Sequence, residues 1–269
     1  MVSRVSEKGY VSTASGYAAG ARRRKNVCLA PQNDPRTSKT PTMPPSEPTP
    51  VAIADGDIRV SGLLEAPPRA RACYVLAHGA GAGMAHPFMA AVAAELAARG
   101  IATLRYQFPY MEQRKKRPDP PALAQATVRA AVAAAGRLLP KMPLVAGGKS
   151  FGGRMTSQAQ AAAPLHGVRG LAFLGFPLHP AGRPSRERAQ HLFAIDVPML
   201  FLQGTRDELA KLDELEPVCQ ALGRRAILRL YQDADHSFHV PRRSGRTDAQ
   251  VRDEMLDALA TWIDEVMAA

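Results

Sequence analysis

From Val51 onward, apolar residues fall into two alternating kinds of segment. Short aliphatic runs read as strands, and between them lie stretches whose apolar positions recur every three or four residues, as on one face of a helix. Ile58–Glu65 is the first run, apolar at Ile58, Val60, Leu63 and Leu64. Cys73–Leu76, Ile101–Tyr106, Leu144–Gly147, Val168–Phe176, Val197–Gln203 and Ile227–Tyr231 follow as strands. Pro87–Arg99 puts Phe88, Val92, Leu96 and Ala97 on one helical face, and Gly100 ends it at the position glycine favours. Asp119 and Pro120 predict an N-cap and first-turn pair for an alanine-rich helix reaching Leu139. Phe151–Ala162, Glu208–Leu222 and Thr247–Met267 predict three more helices.

Two of the strands, at Leu171–Leu174 and Met199–Leu202, are continuously apolar. Such strands are buried on both faces, as in a parallel sheet covered by helices. The pattern predicts an α/β fold with a mostly parallel sheet of seven or eight strands, one domain over residues 51–269, and no internal repeat.

Residues 1–50 break this pattern. They lack apolar periodicity, and seven of the twenty residues from Pro31 to Pro50 are proline. Such a segment buries too little apolar surface to offset its ordering entropy. It is expected to be a disordered tail, or an extension ahead of a true start at Met43, with an organelle transit peptide as the alternative. A secretory signal does not fit, because the basic cluster Arg22–Lys25 follows the small residues and no apolar core exists.

Composition narrows the class. With 46% hydrophobic and 22% charged residues the chain is globular rather than disordered throughout. No apolar stretch approaches the ~18 residues of a membrane span. Cys28, Cys73 and Cys219 are too scattered for a disulfide framework or a zinc site, which points to a reducing, cytoplasmic setting. The net charge of +11 raises nucleic acid as a partner. Its distribution argues otherwise: residues 1–50 hold eight Lys/Arg against three Asp/Glu, and the remainder 27 against 21. Basic and aromatic residues are not interleaved as single-strand binding requires. Neither a nucleic acid nor a membrane partner is expected.

Gly148-Lys149-Ser150-Phe151-Gly152 fits G-x-S-x-G and falls between a predicted strand and a predicted helix. That context is the one in which a serine stands on a tight, strained turn with its hydroxyl above the sheet. The phosphate-loop reading of Gly148-Lys149-Ser150 fails, because Pro143 stands where that motif needs its first glycine. A serine nucleophile needs a base. His236, in Asp235-His236-Ser237-Phe238, lies late in the chain past a strand, with His239 as rival. The base needs an orienting carboxylate. Asp207 follows the apolar strand that ends at Gln203, and Asp196, Asp213, Asp233 and Asp235 are the alternatives. The order serine, aspartate, histidine is that of α/β-hydrolases. The side-chain-poor loop His78-Gly79-Ala80-Gly81-Ala82-Gly83 follows a strand and could present a backbone N–H, from Gly79 or Ala80, to an oxyanion. The N–H of Phe151 would be the second donor.

From Val51 to its end the chain resembles an α/β-hydrolase. Ala77–Ala82, Arg105-Tyr106-Gln107-Phe108-Pro109-Tyr110, Gly148–Arg154 and Asp235–Phe238 are similar to a small branch related to dienelactone hydrolase. That branch also includes testis-expressed and chromatin-complex-subunit proteins. The resemblance implies triad roles for Ser150, Asp207 and His236. Dienelactone hydrolase has a cysteine nucleophile, and this chain has Ser150, so cleavage of dienelactones does not carry over.

Only twenty residues separate Phe176 from Val197, too few for a lid domain, so an open, shallow site is expected. Arg105 ends its strand near the expected mouth and is the candidate substrate-binding cation. Arg114, Lys115, Lys116 and Arg117 read as a solvated basic loop. The sequence therefore predicts a capless serine hydrolase acting on a small-molecule ester or acyl substrate. No metal or organic cofactor is expected. The alternatives are a non-catalytic binding or scaffold protein of the same fold and, less in keeping with the motifs, a nucleotide-binding protein.

Overall fold

A computed structural model describes residues 47–269. The expectations for the segment ahead of residue 47 lie outside the described residues. The chain order is β1 (Thr49–Asp55), β2 (Ile58–Glu65), β3 (Ala72–Ala77), α1 (Pro87–Ala98), β4 (Ile101–Tyr106), α2 (Pro109–Glu112) and α3 (Pro121–Leu138). It continues with β5 (Leu144–Lys149), α4 (Phe151–Ala162), β6 (Val168–Leu174), β7 (Met199–Gly204), α5 (Leu212–Leu222), β8 (Ala226–Tyr231) and α6 (Asp248–Ala268).

The eight strands form one sheet in the order β1-β2-β4-β3-β5-β6-β7-β8. β1 and β2 are antiparallel, as are β2 and β4, and every other pairing is parallel. The fold expected from the pattern is thus the fold observed.

Alternation along the central strands sorts the core into two layers. On β3, Cys73, Val75 and Ala77 join one cluster, with Val128 of α3, Met155 of α4 and Leu215 of α5. Ala72, Tyr74 and Leu76 join the other, with Val92 and Leu96 of α1 and Met255, Leu259 and Trp262 of α6. β7 divides in the same way, Met199 and Phe201 on one side and Leu200 and Leu202 on the other. Both faces are covered, which is why these strands read as unbroken apolar runs.

Three boundaries differ from expectation. β1 was not visible in the sequence: only Ile53 of its residues is buried, so an edge strand beside proline-rich chain carries almost no periodic signal. Asp119 does not cap α3; Pro120 occupies that position, and the Asp119 carboxylate accepts the N–H of Tyr110 at 3.1 Å. α5 begins at Leu212 rather than Glu208, because Asp207 bends the chain locally: its Oδ1 accepts the N–H of Leu209 at 2.7 Å. A side chain that satisfies the backbone two residues on competes with helix formation. Between β6 and β7 the chain forms only a 3-10 segment, Glu187–Ala194, and no cap domain.

No helix of the described residues is long and apolar enough to cross a membrane.

Candidate active site

The site forms at the carboxyl ends of the parallel strands, where α/β sheets place their ligands. β5 ends at Lys149, and Ser150 makes the turn into α4 with φ 50° and ψ −116°. Positive φ is costly for a residue with a side chain and persists only where the surroundings enforce it. The enforcement is visible at Gly152, where a Cβ would lie 2.5 Å from His78 O and 2.7 Å from Ala77 Cβ. No side chain fits there, so α4 packs directly onto the end of β3 and the turn between β5 and α4 closes tightly.

The Ser150 Oγ lies 2.8 Å from His236 Nε2. The opposite ring nitrogen, Nδ1, lies 2.6 Å from Asp207 Oδ2. Ser150, His236 and Asp207 therefore form one hydrogen-bonded line. The Asp207 side chain is fully buried while that of His236 is 23% exposed, so the line runs from the interior outward. Asp207 follows β7, and its carboxylate also accepts from Leu209 N and from Gln203 Nε2. Such bonds satisfy a buried carboxylate and hold its orientation.

The other candidate acids and the rival histidine are engaged elsewhere. Asp235 Oδ1 accepts the N–H groups of Ser237 and His239 and so shapes the turn that carries His236. His239 is exposed and pairs with Asp248 at 2.9 Å. Asp196 and Asp213 are exposed, and Asp233 at φ 60° shapes the turn after β8.

The glycine-rich loop after β3 runs past the serine. A Cβ on Gly79 would stand 3.8 Å from Ser150 Cβ. The Gly81 N–H donates to Tyr110 Oη at 2.9 Å, and the Ala82 N–H donates to Gly79 O at 3.2 Å. The N–H groups of Gly79 and Ala80 have no hydrogen-bond partner among the described residues. Phe151 is the first residue of α4, where an N–H has no intrahelical acceptor. Free donors from both sides thus flank the serine.

His78 fixes that loop. Its Nε2 accepts the Phe108 N–H at 3.1 Å, so the ring proton sits on Nδ1 and is donated to Gly79 O at 2.7 Å. Burial pushes its pKa down to about 4, against the opposing pull of the Gly79 carbonyl, so the ring is neutral near pH 7.

Arg105 corrects an expectation. It is only 2% exposed and is not presented at the mouth. Its guanidinium lies 3.3 Å from Glu65 Oε2 and donates to Met84 O at 3.2 Å. It braces the far end of the Gly79–Met84 loop from beneath. Arg114, Lys115 and Lys116 are exposed and line, with Gly81 and Met111, a shallow basin of about 460 Å³ beside the same loop.

Sequence reasoning missed Gln203, Tyr110 and the role of His78. Gln203 had a signal: it is a polar residue at the end of an apolar strand, and it donates to Asp207 while its Oε1 accepts the Phe176 N–H at 2.9 Å. Tyr110 and His78 lay inside recognised motifs, but nothing in their spacing pointed to a bond.

Residues 70–264 match the family described as "Alpha/beta hydrolase domain". Among solved structures, a lid-free α/β serine hydrolase from Xanthomonas campestris is similar at 20% identity and TM-score 0.63, covering 83% of this chain and 98% of its own. Dienelactone hydrolase from Anabaena variabilis is similar at 21% identity and TM-score 0.64, over 82% and 98%. Est1E from Butyrivibrio proteoclasticus matches at 15% identity and TM-score 0.63, over 82% and 99%.

Proposed function

Because the chain belongs to the alpha/beta hydrolase domain family, we propose that it is a serine hydrolase cleaving a carboxylic ester or related acyl bond. The observation that carries this reading is the line from Ser150 through His236 to Asp207, standing on a strained turn next to unpartnered N–H groups.

In the first half-reaction Ser150 Oγ attacks the acyl carbon as its proton passes to His236 Nε2. Asp207 accepts the Nδ1–H throughout, holding the tautomer and stabilising the imidazolium. The carbonyl oxygen becomes an oxyanion and is received by the N–H of Phe151 and by Gly79 or Ala80. Each such donor typically contributes about 10²–10³ in rate. Collapse of the tetrahedral adduct breaks the bond to the leaving alcohol, which takes the proton from His236. Water then repeats the sequence on the acyl-serine, releasing the acid and restoring Ser150.

Gly81 cannot readily serve as the loop donor, since its N–H is committed to Tyr110. The absence of a cap and the shallow surroundings favour a substrate that binds at the surface rather than in a deep tunnel.

Labelling with a fluorophosphonate tests the assignment. The expected result is covalent modification of the wild type at Ser150, with none in Ser150→Ala and a loss of roughly 10³-fold or more in His236→Ala. A folded wild type that resists the probe would overturn the hydrolase reading and leave a binding protein of the same fold.

A further inference from the structure

The hydrolytic steps leave one charged side chain at the heart of the site unused. Lys149 stands between Gly148 and Ser150, at the last position of β5, and is half-buried. Its Nζ donates to the backbone carbonyl of His236 at 2.5 Å. The same ammonium lies 5.6 Å from the centroid of the Phe238 ring. A Cβ built on Gly175 would lie 3.1 Å from Lys149 Nζ, 3.3 Å from His236 O and 3.4 Å from His236 Cε1. Ammonium, carbonyl and imidazole edge therefore crowd together over the end of β6, where Gly175 takes φ 71°.

The turn that carries His236 has bonds of its own, and its Phe238 packs in the core against Phe88 and Tyr231. Asp235 N donates to His239 O, Phe238 N donates to Asp235 O, and Asp235 Oδ1 takes the N–H groups of Ser237 and His239. Phe238 completes the turn at φ 64°. The Arg206 N–H donates to Ala234 O and ties the start of the turn to the end of β7, and Asp207 holds the imidazole Nδ1. The Lys149 bond is the one that ties the His236 backbone to the end of β5, beside Ser150. An apolar side chain at this position would avoid the cost of desolvating an ammonium, so a lysine here calls for a reason beyond packing.

We propose that Lys149 is a positioning residue for the base: from within the serine's own turn, its ammonium holds the His236 carbonyl and sets where the imidazole meets Ser150 Oγ. This inference rests on the serine-hydrolase reading. A charge-assisted bond is stronger and more directional than a neutral one, so the hold depends on Lys149 staying protonated. The charged and titratable groups facing it are Asp207, Asp235 and His236. Burial pulls the Lys149 pKa down to about 8, while Asp207 and Asp235 draw it back up. The hold therefore weakens on the alkaline side of neutrality.

The experiment follows the fluorophosphonate labelling rate from about pH 6 to about pH 10 in wild type, Lys149→Met and Lys149→Arg, with thermal unfolding to establish that each is folded. The wild-type rate should fall above about pH 8. Lys149→Met keeps the length but has neither donor nor charge. It should label about 10–100-fold more slowly, the scale of a misplaced catalytic group, and show no alkaline fall. Lys149→Arg stays protonated throughout; it should recover most of the rate and move the fall to higher pH. In the folded protein, the His236 imidazole resonances should shift in Lys149→Met, a readout independent of turnover. A folded Lys149→Met that labels within about twofold of wild type with an unchanged profile would overturn the proposal. So would a Lys149→Arg profile that falls where wild type does, even if Lys149→Met fails to fold. A wild type that never labels refutes the hydrolase reading itself and the present inference with it.

Discussion

At the scale of single residues, the site depends on a few polar side chains whose partners are fully specified. Asp207 has three donors, from Gln203, Leu209 and His236. Asp207→Asn preserves the shape but removes the charge and permits the wrong imidazole tautomer. A fall in kcat of roughly 10³–10⁴-fold on a p-nitrophenyl ester is expected, with the fold retained at a lower melting temperature because the amide NH2 faces a buried donor. Activity surviving in that variant would assign the acid to another carboxylate. That Ser150, His236 and Asp207 come together was legible because each sits at a recognisable place relative to a strand. Arg105 was misread for a physical reason. Ending a strand near the mouth says nothing about which face a side chain takes, and Glu65 on the neighbouring β2 captures its guanidinium. Lys149 was weighed only as part of a phosphate loop, because G-x-S-x-G treats its position as variable.

At the scale of elements, the contact of α4 with β3 is what makes the serine's turn possible. Replacing glycine by alanine inside a helix ordinarily gains about 1 kcal/mol. Gly152→Ala should do the opposite. Its methyl would meet backbone at His78 and Ala77, and overpacking of this kind costs typically 1–3 kcal/mol or more. The thermal midpoint is expected to drop and labelling of Ser150 to fall with it; a variant as stable and reactive as wild type would show that α4 can shift without disturbing the site. Element type was readable where the pattern was strong: unbroken apolar runs at β3 and β7, helical spacing at α6. It failed at β1, where Ile53 alone is buried, and at the start of α5, where the Asp207 carboxylate redirects the backbone. The two failures differ in origin: the exposed edge strand has no pattern to read, and at α5 a side chain competes with the helix for the backbone.

At the scale of the whole molecule, two imidazoles of the described residues, the buried His78 and the half-buried His191, are held neutral near pH 7. Burial pushes the pKa of both His78 and His191 down to about 4, from an unfolded value of 6.5; the nearby charge of Arg154 adds to the effect on His191. A depressed histidine pKa means that the unfolded chain takes up the proton first. The stabilisation is fully present above about pH 6.5 and is lost as pH falls through 4, on the order of 3 kcal/mol for His78. Glu65 and Asp119, whose pKa values burial raises, act in the opposite sense and offset part of the loss. The melting temperature should decline between about pH 6.5 and pH 4, and His78→Asn should flatten the decline. A melting temperature constant over that window would argue against neutral burial. The arrangement of the strands has one more consequence, in time rather than in space. Ser150 and His236 are 86 residues apart in sequence, and β6 lies between the strand that delivers the serine and the one that delivers Asp207. Parallel neighbours of this kind pair late and slowly, because each closes a long loop. On the proposed serine-hydrolase reading, a chain emerging during synthesis carries its serine well before His236 can reach it, and gains activity only once β8 and the turn beyond it have docked.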